Sequence, residues 1–316
     1  MSDASFVAGD WGTSNLRLFL CDSYGLILDS SHGPGAVDAG GRFATIFDSL
    51  LSPWQQRHGP LPAVLCGMVG SSIGWHQAPY VPCPALPEAI AAASVSLRGG
   101  GVHIVPGVSC RNRFGAPDFM RGEETQILGA LIIEPNLRRG RHLLCLPGTH
   151  TKWVLLADGA IGEFLSAPTG ELFALLRNHS VLLRDQTEAG AVDGGVAFEE
   201  GLAQFNEFPR AQLLHRLFEC RARRLNGDLS PQAAAAYLSG LLIASDISGA
   251  LQLLSGANGV RTVHLVGSPH LTQLYATGLA SHDCAASRLD GAAAALAGLA
   301  LMHRQLTPRL VTNAAR

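Results

Sequence analysis

The stretch Asp10-Trp11-Gly12-Thr13-Ser14-Asn15-Leu16-Arg17 lies between two apolar runs and decides the fold of this chain. The run Phe6–Ala8 before it is typical of a buried strand, and alternating apolar residues over 16–21 predict a second strand. Between them, Gly12–Ser14 forms a turn of small residues whose backbone N–H groups can face an anion. Asp10, at the end of the first strand, is placed to hold a hydrated Mg²⁺ ion. The stretch therefore predicts a site for nucleotide phosphates.

A second stretch, Gly148–Asp158, repeats this pattern after the apolar run His142–Leu146. In both copies Gly-Thr opens the turn, an apolar strand follows, and an Asp closes it at the same spacing from the Gly. Self-similarity of this kind predicts two related halves, each with a phosphate-binding turn. Asp10 corresponds to Leu146, so only the first half is expected to hold the metal. Two unrelated hairpins with Gly-Thr turns are the alternative interpretation.

Composition excludes several classes of protein. The 316 residues are 47% hydrophobic and 15% charged, which is enough for a sizeable core in two domains or one large domain. A formal net charge of -2 argues against nucleic acid or an anionic membrane as the main partner. Seven Cys without a C-x-x-C pair favour buried thiols in a reducing cytoplasm. No signal-peptide pattern is present in Met1–Ser5, and the Ala-rich run Gly291–Met302 favours a packed helix. We therefore expect a soluble cytoplasmic protein.

Helical and strand patterns alternate in both halves, which predicts an α/β architecture with two sheets. Ser230-Pro231 is a good N-cap and first-position pair for a helix. Other predicted elements are helices over 43–56, 87–97 and 291–305 and a last buried strand over Val263–Val266.

The polar segment Pro135–Arg141 marks the predicted domain boundary. It divides the chain into an N-terminal lobe, 1–136, and a C-terminal lobe, 137–316, with the last helix allowed to pack back on the N-terminal lobe. A cleft between two similar halves, each giving one phosphate turn, is a natural ATP site.

The motif Asp10-x-Gly12-Thr13-Ser14-x-x-Arg17 resembles the first phosphate motif of sugar kinases in the actin-like ATPase superfamily. With further motifs in the same order along the chain, the sequence more specifically resembles the 2-dehydro-3-deoxygalactonokinase family. These motifs are Gly67–Ser71, Gly74-Trp75, Ala78–Tyr80, Met120–Gln126, Pro147–Trp153, Thr169–Leu172 and Leu238–Ile243.

The resemblance implies two lobes of actin-like ATPase (ribonuclease H-like) type, with the nucleotide in the cleft between them. It also implies Mg²⁺- and ATP-dependent phosphorylation of the 6-hydroxyl of 2-dehydro-3-deoxy-D-galactonate in galactonate catabolism. In such a kinase, the lobes are expected to close on the substrate and exclude water. The expected partner is therefore a small sugar acid, with neither nucleic acid nor membrane involved, and a homodimer is left open.

The family pattern assigns nucleotide roles residue by residue. Asp10 would hold Mg²⁺, and a second set of residues would bind the ATP phosphates. Asn15 is expected to bind phosphate or substrate, or only to shape the turn, and His150 is as well explained as an ordinary turn residue. The expected phosphate ligands are Gly12, Thr13, Ser14, Asn15 and Arg17 in the first half and Gly148, Thr149 and His150 in the second. Gly267 and Ser268 would lie near the adenosine, unless they only end a strand.

Deprotonation of the substrate hydroxyl requires a general base. Glu124 is the first candidate, although acidic residues also favour a helix N-terminus for structural reasons alone. Asp118 and Glu171 are the other candidates, and Glu171 is also expected among the substrate-binding residues.

Substrate recognition is assigned to three further residues. Arg121 is the expected reader of the sugar-acid carboxylate, because arginine binds carboxylates in a bidentate manner. An ion pair of Arg121 with Glu123 or Glu124 is the alternative. Ser71 and Trp75 are expected to contact the sugar chain, although Trp75 is also suited to packing.

Two other functions compete with this interpretation. A kinase of the same superfamily acting on another sugar or sugar acid would share the nucleotide motifs. A sensor that binds ATP without phosphorylating a metabolite belongs to a different class, and the retained Asp10 and Arg17 argue against it.

Overall fold

The computed structural model describes residues 3–183, 192–207, 213–254 and 259–313, with side chains as far as residue 307. Contacts divide the chain into two units. Unit 1 comprises Met1–Arg141, Leu156–Phe164 and Gly291–Arg316, and unit 2 comprises His142–Leu155 and Leu165–Asp290. The boundary expected after residue 136 lies just before the first change of unit, and the last helix groups with unit 1. Residues 156–164 also group with unit 1, whereas the sequence predicted that they belong to the C-terminal lobe.

Unit 1 contains a six-stranded sheet and a small three-stranded sheet. In chain order its strands are β1 (Phe6–Trp11), β2 (Asn15–Cys21), β3 (Ile27–Pro34), β4 (Ala63–Gly67), β5 (Tyr80–Pro82), β6 (Val95–Leu97), β7 (Val102–Ile104), β8 (Gly107–Arg111) and β9 (Pro117–Met120). Its first helices are α1 (Ala36–Ala39), α2 (Phe43–His58), α3 (Pro87–Ala92) and α4 (Glu123–Ile133). The larger sheet has the order β3-β2-β1-β4-β7-β6, and the smaller one has the order β5-β8-β9.

The second large sheet has the order β12-β11-β10-β13-β14. Its strands are β10 (Arg141–Leu146), β11 (Thr151–Ala157), β12 (Ala160–Ala167), β13 (Thr262–Gly267) and β14 (Ala285–Asp290). The helices of this part are α5 (Thr169–His179), α6 (Val196–Glu207), α7 (Leu213–Leu217), α8 (Glu219–Leu225), α9 (Pro231–Leu254) and α10 (Pro269–Ala280), and α11 (Gly291–Asn313) follows in unit 1.

The two large sheets repeat one topology. In each sheet the first strand lies between the second and the fourth, with the third beside the second and a fifth beyond the fourth. β1 pairs with β2 in the antiparallel sense and with β4 in parallel, so it is covered on both edges, and five of its six residues are buried. The predicted α/β class and the internal repeat are both visible in this order.

Several local predictions are confirmed and one is wrong. The Ser230 hydroxyl accepts the N–H of Ala233 at 3.1 Å and caps α9 as expected. The predicted helix over 87–97 ends at Ala92, because residues 95–97 pair with β7 as the edge strand β6. The strand over 263–266 is present as β13 and is the last buried one, since β14, which pairs with it in parallel, has no buried residue.

Helix α9 is long and apolar enough to cross a membrane by length and composition, but most of its apolar stretch is buried inside the protein. The helix therefore has the character of a core helix, with Ala234–Ala244 among its buried residues. Of the seven cysteines, five are buried and two are half-buried, and all seven are thiols rather than disulfides.

Helices α4 and α11 approach each other so closely that only glycine fits at two positions. A Cβ at Gly129 would overlap the backbone oxygen of Ala294, and one at Gly298 would overlap the backbone oxygen of Thr125. Backbone cannot move aside as a flexible side chain can, so α11 fixes the position of α4.

We expect Gly129→Ala to lower the free energy of unfolding by about 1–3 kcal/mol, because the added methyl group overpacks this helix contact. Urea denaturation measures the change. Gly249→Ala in α9 is the matched control: no atom lies within 4 Å of its Cβ position, so helix propensity should stabilise this variant by up to about 1 kcal/mol. Equal destabilisation of both variants would contradict the packing argument.

Candidate active site

The first turn of unit 1 presents backbone donors to solvent. The carbonyl oxygens of Gly12, Thr13 and Ser14 accept N–H groups from the segment that begins α1. The residues Thr13 and Ser14 are exposed, and within the described part of the chain their own N–H groups donate to no acceptor. Gly35 lies directly against this turn, where a Cβ would overlap Thr13 and Ser14. Because its three carbonyls are bonded while the N–H groups of Thr13 and Ser14 are not, and only the N–H of Gly12 is used, by the carbonyl of Asn15, the turn has the polarity of an anion site.

The second turn has the same construction in unit 2. The carbonyl oxygen of Thr149 accepts the N–H of Glu171 at 2.9 Å. Gly170 lies against the turn, and a Cβ there would overlap the backbone oxygen of Gly148. Gly35 and Gly170 thus have matching places in the two units, which the sequence analysis did not identify. Each allows the start of a helix to touch the turn.

His150 is paired with a carboxylate in this second turn. Its Nε2 lies 2.9 Å from Glu171 Oε2, and both side chains are about half exposed. Glu171 therefore lies beside the predicted phosphate-binding residues of unit 2.

Asp10 and Arg17 face each other across the β1–β2 pair, and Arg17 Nη2 donates to Asp10 Oδ2 at 2.5 Å. The thiol of Cys66 lies 3.9 Å from the other carboxylate oxygen, Oδ1. Both members of the ion pair are partly exposed. The register of the two strands therefore holds the predicted metal carboxylate and the predicted phosphate arginine together.

Glu124 is fully buried at the start of α4. Its carboxylate accepts the N–H of Gly122 at 2.6 Å and the hydroxyl of Thr125 at 3.0 Å. Burial, reinforced by the neighbouring charge of Glu123, raises the pKa of Glu124 to about 8. The charges of Asp10 and Glu124 both help to raise the pKa of the buried Cys66 thiol, after burial itself. Asp10, the predicted metal ligand, and Glu124, the first candidate for the general base, thus lie in one electrostatic cluster of unit 1.

Arg121 packs against the loop of the small sheet. Its Nη2 donates to the carbonyl oxygen of Ala78 at 2.8 Å, and the guanidinium lies 4.3 Å from the centre of the Tyr80 ring. Its Nε and Nη1 atoms are buried and have no hydrogen-bond partner among the described residues. Glu123 accepts the backbone N–H of Arg121.

Other predicted residues have structural partners. The Ser71 hydroxyl donates to the carbonyl oxygen of Met68 at 2.8 Å. The Trp75 ring packs on Phe47 and lies under the guanidinium of Arg98, which favours the packing interpretation. Asp118 is buried and accepts the N–H of Phe119. Substrate contacts of Ser71 and Trp75 stay predictions.

Unit 2 contains a pocket of about 260 Å³ beside the second turn. Gly267 ends β13 close to Pro147, and Ser268 caps α10 by accepting the N–H of Leu271. The pocket is lined by Gly148, Thr169, Gly170, Phe173, Arg177, Val192, Ser239, Leu242, Ile243, His270, Leu271, Leu274 and Tyr275. The predicted adenosine segment thus leads into the helix that forms one wall of this pocket.

The sequence analysis missed Asp246 in α9. Its carboxylate accepts hydrogen bonds from Trp153, Thr169 and Tyr275, and two of these donors line the pocket. The signal was present in the sequence, because Asp246 is the one charged residue in a mainly apolar helix.

A duplicated sheet order with one donor-rich turn in each copy defines a protein of the actin-like ATPase and sugar-kinase fold class. The activator of 2-hydroxyisocaproyl-CoA dehydratase from Clostridium difficile, solved with bound ADPNP, has this fold at a TM-score of 0.50 and 10% identity, with 96% of both chains covered. The predicted fold class is therefore confirmed.

A family model described as 2-keto-3-deoxy-galactonokinase matches residues 10–302. The protein named Probable 2-dehydro-3-deoxygalactonokinase of Rhizobium meliloti (strain 1021) is 37% identical, with 96% of this chain and 98% of that protein covered. The 2-dehydro-3-deoxygalactonokinase of Escherichia coli (strain K12) is 31% identical, with 94% and 96% covered. A crystal structure assigned to this kinase, from Sinorhizobium meliloti, has a TM-score of 0.87 at 37% identity, with 96% and 99% covered. The chain belongs to the 2-keto-3-deoxy-galactonokinase family, as the sequence motifs predicted.

The raised pKa of Glu124 predicts a pH-dependent stability. The unfolded state ionises near the ordinary glutamate pKa, while the folded state keeps the proton until about pH 8. The free energy of unfolding therefore falls as the pH rises between these two pKa values. Glu124→Gln lacks the titrating group and therefore lacks this loss. The free energy of unfolding of the variant, relative to that of the unmodified protein, should rise by on the order of 2–4 kcal/mol between pH 5 and pH 8.

Urea denaturation at a series of pH values measures this difference. Glu163→Gln is the control, since Glu163 is a partly exposed ion-pair partner of Arg113. Parallel pH profiles for Glu124→Gln and the unmodified protein would contradict a buried, protonated Glu124.

Proposed function

We propose that this chain transfers the γ-phosphoryl group of ATP to the 6-hydroxyl of 2-dehydro-3-deoxy-D-galactonate. The observation that carries the proposal is the family match over residues 10–302, together with relatives named for this activity that are covered almost end to end. The comparisons give no support to an ATP-binding sensor or to a kinase of another sugar. The alcohol acceptor makes this a phosphotransferase of carbohydrate metabolism.

The nucleotide is proposed to bind through both turns. Exposed N–H groups of Thr13 and Ser14 and of Thr149 and His150 are suited to phosphate oxygens. The pocket beside Gly148 is mostly apolar in its lining and suits the adenosine. Placement of the nucleotide between the two lobes stays a prediction.

Mg²⁺ is proposed to bind at Asp10. The residues fit this ion, because magnesium is commonly held by one or two carboxylates with phosphate oxygens and retained water. Among the described residues, Asp10 Oδ1 has a weak thiol contact as its one hydrogen bond, while Arg17 holds Oδ2 and fixes the side chain. When bound, the ion would neutralise charge on the phosphate oxygens. Asp10 would hold the ion, and Arg17 would orient Asp10 or turn to a phosphate.

The general base is proposed to be Glu124. A base works best when its pKa is near the working pH, and the pKa of about 8 meets that condition. Its burial beneath Gly122 means that this role requires the turn above it to open. Asp118 and Glu171 stay the other candidates, and Glu171 already pairs with His150.

The substrate carboxylate is proposed to bind at Arg121. Two of its guanidinium nitrogens are without an acceptor among the described residues, so the side chain keeps hydrogen-bonding capacity for an anion. The chain is further proposed to work in the cytoplasm on a small molecule, in keeping with its seven thiols. A homodimer stays a prediction.

The purified protein should release ADP with Mg²⁺ and ATP only when a 2-keto-3-deoxy sugar acid is present. The assay compares 2-dehydro-3-deoxy-D-galactonate, its gluconate-derived epimer and neutral sugars. Turnover on a neutral sugar alone would reject the substrate and retain the kinase. ATP binding without turnover on any acceptor would support the sensor.

Arg121→Lys should raise the KM for the sugar acid about tenfold or more and leave the KM for ATP unchanged, because lysine cannot replace a planar two-point donor. Steady-state kinetics with each substrate varied separately measures both constants. The control is Arg113→Lys, which alters an exposed ion pair with Glu163 in the same unit. A normal sugar-acid KM in folded Arg121→Lys would rule out the assigned role.

A further inference from the structure

We propose that Asp246 is a positioning residue for the nucleotide pocket, because its carboxylate holds Thr169 and Tyr275 in place on two of the pocket walls. The inference rests on the proposed use of ATP and assigns a function to a residue that contacts no phosphate turn itself. The nucleotide class concerned is an adenosine di- or triphosphate at the pocket beside Gly148.

The two oxygens of Asp246 serve different elements. Oδ2 accepts the hydroxyl of Thr169 at 2.7 Å and the hydroxyl of Tyr275 at 2.6 Å. Oδ1 accepts the indole N–H of Trp153 at 2.8 Å. One carboxylate on α9 is therefore bonded to α5, α10 and β11 together.

These bonds are costly to break, because a buried donor that loses its acceptor is not compensated by water. Thr169 and Tyr275 are buried, so removal of this acceptor costs each buried hydroxyl a hydrogen bond. Tyr275 also shares a hydrogen bond of 2.9 Å with Thr151, the residue that follows the second turn. Burial raises the pKa of Asp246, and the donated hydrogen bonds oppose that rise.

The network reaches the pocket at two places. Thr169 and Tyr275 both line it, and Gly170, the next residue after Thr169, packs on the backbone of Gly148. A shift of Thr169 therefore moves the residue that holds the phosphate turn. Trp153, by contrast, bonds to the same carboxylate but is not part of the pocket lining. This difference separates a positioning role from general support of the core.

The test measures the dissociation constant for ADP by titration calorimetry and the KM and kcat with ATP. Asp246→Asn, Thr169→Val and Tyr275→Phe should each weaken ADP binding and raise the KM for ATP by about tenfold or more. The kcat and the KM for the sugar acid should change by less than about twofold in the same variants, because the walls bind nucleotide and do not touch the reacting atoms. Trp153→Phe is the matched control and should bind ADP normally.

Each outcome either supports or overturns the positioning role of Asp246. Normal ADP affinity in folded Asp246→Asn, or equal losses in Trp153→Phe and Tyr275→Phe, would overturn the inference. If Asp246→Asn does not fold, the contrast between Tyr275→Phe or Thr169→Val and Trp153→Phe decides alone. An unmodified protein that binds ADP without phosphorylating the sugar acid would reject the proposed function and leave the positioning role to be judged on ADP affinity. An unmodified protein that binds no ADP would overturn both.

Discussion

The approach of α4 to α11 is the constraint on which unit 1 depends. Backbone meets backbone at Gly129 and Gly298, so neither helix can slide without a clash. The carbonyl that touches Gly298 belongs to Thr125, the residue after Glu124. Because α4 begins with Glu123, this contact at Thr125 fixes the first turn of the helix. The buried carboxylate of Glu124 and the Gly122 turn above it therefore lie at the start of a helix whose position is fixed by packing.

A second general feature is the way in which the turns acquire their polarity. Neither turn depends on a cluster of lysines or arginines. Instead, the helix that follows donates to the turn carbonyls, at Thr13 in one unit and Thr149 in the other. As a result, N–H groups of each turn are left without a partner among the described residues. A glycine, Gly35 in one unit and Gly170 in the other, allows the helix start to approach the turn closely. If phosphate binds there as proposed, it would be held by fixed dipoles, which need no reorganisation when the anion arrives.

Short-range patterns were sufficient to predict much of this molecule. The Gly-Thr turns, the repeat between the halves and the Ser230 cap each depend on a few neighbouring residues. The helix expected over 87–97 failed because residues 95–97 gain strand partners from β7, which local propensity does not include. Asp246 was missed for a similar reason. Its donors lie 93, 77 and 29 positions away in the chain, so only the folded structure shows that they share one carboxylate.

The placement of α11 in unit 1 also bears on the order in which a nascent chain can complete its structure. The elements of unit 2 are interposed between the first 141 residues and Gly291. During synthesis, α4 therefore emerges from the ribosome well before the helix that covers Gly129. Until that helix emerges, Gly129 of α4 lacks the backbone that packs against it. The segments of unit 2, by contrast, are all translated before residue 291, so their synthesis does not wait for the final helix.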